Sequence, residues 1–220
     1  MVLPDKFRCV ITNWDYIYDL CRHVANEIKK SGYKPDTIIA LARGGWFAGR
    51  VLCDFLGLND LTSLKIEHYV GAANAGSGPA IRYPLADNDT GKSIAHAKEY
   101  VLKQKPKEVR TAVLQYLYTS EIKPDYCGEV VQEWGWIVYP WNFIEDLIDI
   151  ISRLMAKEKL NEWDIEKIRS GLLKYHNLDP INFEIAQPDR MEEILDEMTR
   201  RGMLRTKSVS GKKTWEYTGA

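Results

Sequence analysis

The segment Asp87–Ser93 (DNDTGKS) has the composition of an anion-binding turn at the start of a helix. Gly91 permits a tight turn, so several backbone N–H groups and the positive end of the helix dipole face one point. The hydroxyls of Thr90 and Ser93 add donors, which suits a phosphate monoester. The two carboxylates suit ribose hydroxyls, a Mg2+ ion or a proton transfer instead. A helix start capped by Asp and Ser is the alternative that needs no ligand. A Walker A loop is excluded, because Ala86 stands where that motif has its first glycine.

A second turn of this kind is Arg43-Gly44-Gly45, directly after the apolar run 37–41. This run is typical of a buried parallel strand, and open α/β sheets bind ligands at the carboxyl ends of such strands. Two glycines let a ligand approach backbone N–H groups closely. The alternative is an ordinary turn into a helix with an arginine at the surface.

A third feature is the aromatic segment 136–141 (WIVYPW), which predicts a strand ended by Pro140. A tryptophan at a strand end offers a flat apolar face on which a heterocyclic base stacks. Trp136 as an ordinary core residue is the alternative.

Together these segments resemble the type I phosphoribosyltransferases, and most of all the archaeal and bacterial members that use hypoxanthine, guanine or xanthine. Asp89–Ser93 matches the phosphoribosyl-diphosphate loop of that family, and Arg43-Gly44-Gly45 matches its diphosphate loop. Pro124-Asp125-Tyr126 and the segment 136–141 resemble its base-binding hood. The resemblance covers roughly residues 10 to 145.

The resemblance implies roles for the residues of both loops. Asp89 would lie near the purine N7 and accept or donate a proton there. Asp87 would stand in for a ribose-binding or metal-binding acid. The 5′-phosphate of phosphoribosyl diphosphate would be held, mainly through backbone N–H groups, by Thr90, Gly91, Lys92 and Ser93. Its diphosphate would be held by Arg43, Gly44 and Gly45.

For the base, the resemblance implies that Trp136 stacks on the ring and that the Ile137 backbone lies near its exocyclic edge. The uncharged segment 71–80 would be a lid that excludes water. In the implied reaction, C1′ loses diphosphate through a transition state with oxocarbenium character. Mg2+ on the diphosphate would stabilise the departing charge.

Three departures from the family pattern stand out. The apolar strand that ends in two acids before the loop is missing, since 83–85 runs almost directly into Asp87. Either a stretch has been lost between Leu85 and Asp87 or the site is degenerate. The lysine that would read the purine O6 is also absent, although Lys123 in a neighbouring turn is a substitute. Finally, Asn142 replaces the acid that commonly follows Pro-Trp.

The chain of 220 residues has room for one domain with a large appendage or for two small domains. Helical and strand patterns alternate along it, which predicts an α/β fold with a mostly parallel sheet flanked by helices. We expect a phosphoribosyltransferase-like domain at 1–145 and a small module at 146–220. A formal net charge of −1 excludes overall basicity as a reason to bind nucleic acid. We expect no membrane association, and four scattered cysteines without a CxxC pair favour the cytoplasm and argue against zinc.

The C-terminal module is predicted to hold three helices and a terminal β-hairpin, an order that is winged-helix-like. Residues 200–220 contain six Lys or Arg and one acid, so the hairpin is a candidate for contact with a nucleic-acid backbone. We favour a solvated hairpin in a dimerisation or packing module instead. The preceding helix (residues 191–197, MEEILDE) is acidic, whereas a DNA-reading helix is usually basic.

The sequence therefore predicts Mg2+-dependent transfer of 5-phosphoribose from phosphoribosyl diphosphate to a 6-oxopurine, giving a nucleoside monophosphate and diphosphate, as in purine salvage. The expected partners are these small molecules and a second copy of the chain in a homodimer. Two alternatives stay open. One is a non-catalytic regulator that senses phosphoribosyl diphosphate or a nucleotide and binds DNA through its C-terminal module. The other is an α/β domain whose glycine turns are only structural.

Overall fold

The computed structural model describes residues 5–69, 81–84, 91–209 and 212–219. The chain forms two compact units. One comprises Asp15–Trp134, and the other combines the N-terminal segment up to Trp14 with Gly135–Ala220. The predicted boundary between 145 and 146 stays a prediction.

The first unit contains a parallel sheet in the order β2-β3-β4, formed by Ile38–Ala42, Leu61–Tyr69 and Ile81–Pro84. Ile38 pairs with Leu61 and Ile66 with Ile81. Helix α2 (Gly45–Leu56) covers this sheet at Gly49, where a Cβ would lie 3.1 Å from the Cβ of Ala40. A side chain here would press on Ala40 and on Leu61, so glycine favours the close approach of this helix to the sheet. The strand at 81–84, which looks like a return strand, is parallel to β3 rather than antiparallel.

The other parallel strands of this unit are β5 (Ala112–Leu117) and β6 (Tyr126–Val131), which pair with each other. Helix α1 (Trp14–Lys30) buries the apolar face that its periodicity predicts. Leu20 on that face packs against Gly128 of β6, and the Tyr18 ring lies 5.0 Å from the ring of Phe55 in α2. Helix α3 (Lys92–Leu102) contacts β3. Alternating strands and helices therefore confirm the predicted α/β class.

Within this unit, the described strands form two hydrogen-bonded groups rather than one continuous sheet. Every residue of β5 is only half-buried, although a central parallel strand is normally buried on both faces. The first apolar run forms a parallel strand as predicted, but this strand is not buried along its length, because Ala40 is the only fully buried residue of β2. The expected lack of a central strand before the phosphate loop stays a prediction. The link from 85 to 90, where that strand would belong, lies outside the described residues.

The second unit pairs two short parallel strands, β1 (Cys9–Ile11) and β7 (Trp136–Val138), with Cys9 opposite Trp136. Four helices follow: α4 (Phe143–Glu158), α5 (Ile165–His176), α6 (Pro180–Ala186) and α7 (Arg190–Arg200). The antiparallel hairpin β8–β9 (Leu204–Val209 and Lys212–Tyr217) ends the unit. Among the described residues, the largest fully buried side chains all lie in this unit; they include Trp163, Trp215, Phe143, Leu147 and Leu195.

The terminal hairpin is extended by one more chain segment. Trp163, between α4 and α5, forms an antiparallel bridge with Trp215 of β9, with two backbone hydrogen bonds of 2.8 Å. The order of elements is therefore helix α4, the bridging residue Trp163, helices α5 to α7, and the hairpin β8–β9. The winged-helix-like assignment remains a prediction from this order. None of the helices in the described ranges has the length and apolar character that crossing a membrane requires.

Candidate functional site

The predicted phosphate loop leads into helix α3 through a glycine in the left-handed conformation. Gly91, the N-cap residue, has φ of 75° and ψ of 5°, values that favour glycine over every other residue. The first helical bond runs from the Ala95 amide to the Gly91 carbonyl, so the amides before Ala95 precede the helical ladder. Lys92 is exposed, and Gly91 and Ser93 are half-exposed. Three further predicted site residues, Asp87, Asp89 and Thr90, and the predicted lid at 71–80 lie outside the described residues.

A turn between β5 and β6 lies against this glycine. A Cβ on Gly91 would be 3.0 Å from both the Cβ and the carbonyl oxygen of Ile122. The next residue is Lys123, whose side chain is exposed. The structure therefore places the turn that carries Lys123, the expected substitute for the purine-reading lysine, beside Gly91 of the predicted phosphate loop. Sequence patterns gave no signal for this contact, because nothing in them relates residues 91 and 122.

The predicted diphosphate turn connects β2 to α2. The peptide bond between Ala42 and Arg43 is cis, Arg43 is exposed, and Gly44 and Gly45 are half-exposed. Gly44 has φ of −61°, so this turn does not use the left-handed freedom of glycine. A Cβ on Gly45 would meet no described atom outside its own chain neighbours closer than 3.7 Å. Gly44 and Gly45 therefore leave the backbone of this turn without side chains over it, and Gly44 is not needed for a left-handed conformation.

The predicted diphosphate turn lies at the carboxyl edge of the β2-β3-β4 sheet, directly after β2. Residues 85–90, which follow β4, lie outside the described residues. Because β2, β3 and β4 are parallel, their carboxyl ends lie at the same edge. This is the edge at which open α/β sheets bind ligands.

The predicted base-binding residues lie on β7 in the second unit. Trp136 and Ile137 are half-exposed. The Trp136 ring lies 6.5 Å from the Phe7 ring at an interplanar angle of 56°, and its buried Nε1 has no hydrogen-bond partner. The indole thus serves partly as a core residue, with the remainder of its surface open to solvent. Farther along, the rings of Tyr139 and Trp141 stack at 4.8 Å.

The segment 124–126, which resembles another part of the hood, joins β5 to β6. The Asp125 carboxylate accepts hydrogen bonds from the Thr111 amide (2.6 Å) and hydroxyl (2.9 Å). Burial opposes ionisation of this carboxyl, but the bonds from Thr111 and Lys98 lower its pKa overall. The Tyr126 hydroxyl is bonded to Ser31 (2.7 Å) and to the Arg110 guanidinium (2.6 Å). The polar groups of this segment are therefore engaged within the protein.

In the described ranges, no group of three or more His, Cys, Asp or Glu side chains could hold a metal ion. Asp87, the predicted metal-binding acid, is not among these residues.

The basic residues of the terminal hairpin region form ion pairs. Glu197 binds both Arg200 (2.6 Å) and Arg201 (2.7 Å), and these two cations lower its pKa to about 2. Three more pairs are Lys213 with Asp196, and Arg205 and Lys207 with Glu216. Five of the six Lys or Arg residues at 200–220 therefore have a carboxylate partner, which lowers the net positive charge of this surface.

Comparison with solved structures gives matches that cover nearly the full length of the matched chains. A purine phosphoribosyltransferase from Pyrococcus horikoshii Ot3 is 28% identical with a TM-score of 0.48, covering 60% of this chain and 93% of that one. A hypothetical protein from Neisseria gonorrhoeae with bound ppGpp is 21% identical with a TM-score of 0.51, covering 70% and 97%. The Helicobacter pylori xanthine-guanine-hypoxanthine phosphoribosyltransferase is 14% identical with a TM-score of 0.50, covering 64% and 99%.

No protein-family model matches the chain, and comparison with curated proteins gives no significant match. The Neisseria and Helicobacter structures share their fold with this chain. The resemblance to type I phosphoribosyltransferases is thereby confirmed as a likeness of fold, and about a third of the chain lies beyond it.

Proposed function

We propose that this protein is a phosphoribosyltransferase that moves 5-phosphoribose from phosphoribosyl diphosphate to a purine base, with 6-oxopurines preferred. One observation carries the proposal. The segment that resembles the phosphoribosyl-diphosphate loop leads through a left-handed glycine into helix α3, in a fold shared with a solved phosphoribosyltransferase. The substrates are small molecules, and the enzyme is proposed to work as a homodimer.

In this proposal, the phosphate groups bind to the first unit. The amides of Gly91, Lys92 and Ser93 receive the 5′-phosphate at the positive end of the α3 dipole. Residues 43–45 receive the diphosphate, with the Arg43 guanidinium supplying positive charge. Mg2+ is proposed to arrive with the diphosphate, whose oxygens are the hard ligands that this ion prefers. The bond from C1′ to the diphosphate oxygen breaks and leaves positive charge on the ribose, and a ring nitrogen of the base forms the new bond to C1′. Asp89 accepts the proton that the base loses at N7.

The base is assigned to Trp136, which stacks on it, and to the Ile137 backbone at its exocyclic edge. Lys123 is proposed to read the oxygen at C6, because its turn contacts the phosphate loop through Ile122. A lysine ammonium donates to a carbonyl oxygen and would disfavour adenine, whose C6 carries an amino group.

The experiment measures turnover of guanine, hypoxanthine, xanthine and adenine with phosphoribosyl diphosphate and Mg2+. The release of diphosphate reports the rate. We expect nucleotide formation from at least one 6-oxopurine and little from adenine. Lys123→Met should reduce the ratio of the turnover rate with guanine to the turnover rate with adenine. Lys107→Met, in the exposed turn before β5, serves as the control. Absence of turnover with all four bases contradicts the proposal.

A second candidate is the nucleotide-sensing regulator. The Neisseria protein of similar fold has ppGpp bound, a ligand that carries diphosphate groups like the proposed substrate. Binding of ppGpp by calorimetry, together with salt-dependent DNA binding and no turnover of any base, would favour the regulator over the enzyme.

A further inference from the structure

The C-terminal helices contact the strand pair that carries the proposed base-binding residues. Strands β1 and β7 have three residues each. An isolated pair of strands this short is not stable in water, so other elements must hold it. Helices α4 to α7 belong to the same compact unit as this pair.

One end of the pair is held by a buried amide. The Gln187 side-chain nitrogen donates a 2.7 Å hydrogen bond to the Thr12 carbonyl oxygen, and both residues are at most 5% exposed. Thr12 in turn donates to the Val138 carbonyl oxygen from its amide (3.1 Å) and its hydroxyl (3.0 Å). The Gln187 oxygen accepts a 3.1 Å bond from Arg190 of α7. A continuous series of hydrogen bonds therefore runs from α7 to the last residue of β7.

The other end is held by helix α5. The Phe7 amide donates a 3.1 Å hydrogen bond to the Tyr175 carbonyl, and the Phe7 ring lies 4.4 Å from the His176 ring. The next residue, Arg8, accepts a 2.7 Å bond at its carbonyl from the Trp136 amide. This end of the pair contains the very residue assigned to base stacking.

We infer that the C-terminal helices fix the position of the base-binding strand, with Gln187 and Thr12 as positioning residues for the purine base. The inference rests on the proposed function and gives the C-terminal module a role that requires no nucleic acid. Loss of the Gln187 amide leaves a buried carbonyl without its donor, and the end of β7 shifts to find another. Shifts of about 1 Å in substrate-positioning groups change rates by as much as 100-fold.

The test uses the full chain with Gln187→Met, which keeps the length of the side chain and removes its donor, and Thr12→Val, which removes the hydroxyl. Thr12→Ser is the conservative variant that restores the hydroxyl. Ile168→Val is the control, because this buried residue of α5 lies two turns before the Phe7 contact and its truncation lowers stability alone.

We expect Gln187→Met and Thr12→Val to raise KM for the base about 10-fold, with KM for phosphoribosyl diphosphate unchanged. Thr12→Ser and Ile168→Val should leave KM for the base near the wild-type value. Hydrogen exchange of the peptide covering 134–141 should accelerate in the first two variants only, a readout that does not depend on activity.

The outcomes separate the two proposals. If the wild-type protein turns over no base, the proposed function fails and this inference fails with it. If the wild type is active but Gln187→Met and Ile168→Val differ neither in KM for the base nor in exchange of β7, the inference alone is overturned.

Discussion

Gly91 lies so close to Ile122 that a Cβ on the glycine would be 3.0 Å from the isoleucine Cβ and 3.0 Å from its carbonyl oxygen. The same glycine has φ of 75°. Two separate constraints, close approach and a left-handed backbone, therefore require glycine at the entrance to α3.

Gly91→Ala should lower the free energy of unfolding by about 1–2 kcal/mol, the cost of a left-handed residue with a side chain. Displacement of the loop should also lower kcat/KM for phosphoribosyl diphosphate by roughly 10- to 100-fold. The control is Gly57→Ala, where φ is 68° but no described atom lies within 4 Å of the added Cβ. Chemical denaturation and steady-state kinetics on both variants measure the two effects. Equal activity of the two variants would show that the Ile122 contact has no role in binding.

Asp89→Asn should lower kcat by roughly 100-fold if Asp89 exchanges the proton at the purine N7. An amide has nearly the same shape but does not take up this proton. Binding of phosphoribosyl diphosphate, measured by calorimetry, should change little. An unchanged kcat would remove the acid–base role.

Trp136→Ala should raise KM for the base by roughly 10- to 100-fold, since stacking of a base on an aromatic ring contributes about 1–3 kcal/mol. Trp136→Phe should retain most of this affinity. It should also cost little stability, because it removes an indole N–H that is buried without a partner. If all three proteins have the same KM, the base does not stack on this residue.

The sequence predicted the elements whose periodicity is strong. Between residues 14 and 30, six apolar residues recur at helical spacing, and helix α1 buries all of them: Ile17, Leu20, Cys21, Val24, Ala25 and Ile28. The predicted terminal hairpin also forms, and helical periodicity at 144–156, 164–175 and 190–201 corresponds to helices α4, α5 and α7. Strands β1 and β6 and helix α6 were missed. β1 has only three residues, too few to show an alternation of apolar and polar side chains. In β6, Gly128 interrupts that alternation.

The site was predictable only in part. The segment around Gly91 could be identified because turn chemistry is local, and its backbone conformation follows from the residue type. The contact with Ile122 and the bond from Gln187 to Thr12 could not, because each joins residues far apart in the chain whose types carry no pairing signal. The roles assigned to Asp87, Asp89, Thr90 and Trp136 remain predictions.

Acid should destabilise the protein through His176. Burial lowers the pKa of this ring below its usual 6.5. Repulsion by Lys157 and Arg153 lowers the pKa further, whereas a hydrogen bond with the Phe7 backbone raises it in part. Between the lowered pKa and 6.5 the unfolded chain binds more protons than the folded one, so stability present above pH 6.5 is lost as the pH falls.

His176→Gln should flatten this dependence between pH 6.5 and 4.5, measured by urea denaturation across the range. The carboxyls of Glu158, Glu193 and Glu197 have pKa values lowered from 4.5, so their own losses begin about one pH unit above 4.5, and the upper part of this window reports mainly on His176. The same slope in the variant and the wild type would assign the dependence to other groups.

Thiol reagents should distinguish the four free cysteines. Cys9, Cys21 and Cys53 are buried, and burial raises the pKa of Cys9 to about 12 and of Cys21 to about 11. Because the thiolate is the reactive form, only half-exposed Cys127 should react quickly with Ellman's reagent at pH 8. All four should react in guanidinium. Two or more fast thiols in the native protein would contradict this burial.

The pairing of Cys9 with Trp136 also constrains the order of events during synthesis. Strand β1 leaves the ribosome long before its partner strand, and longer still before Tyr175, which binds the Phe7 amide. Until then its apolar residues have nothing to cover them, and contacts between such distant residues form slowly. We therefore expect this strand pair to form only after helix α5 has been translated.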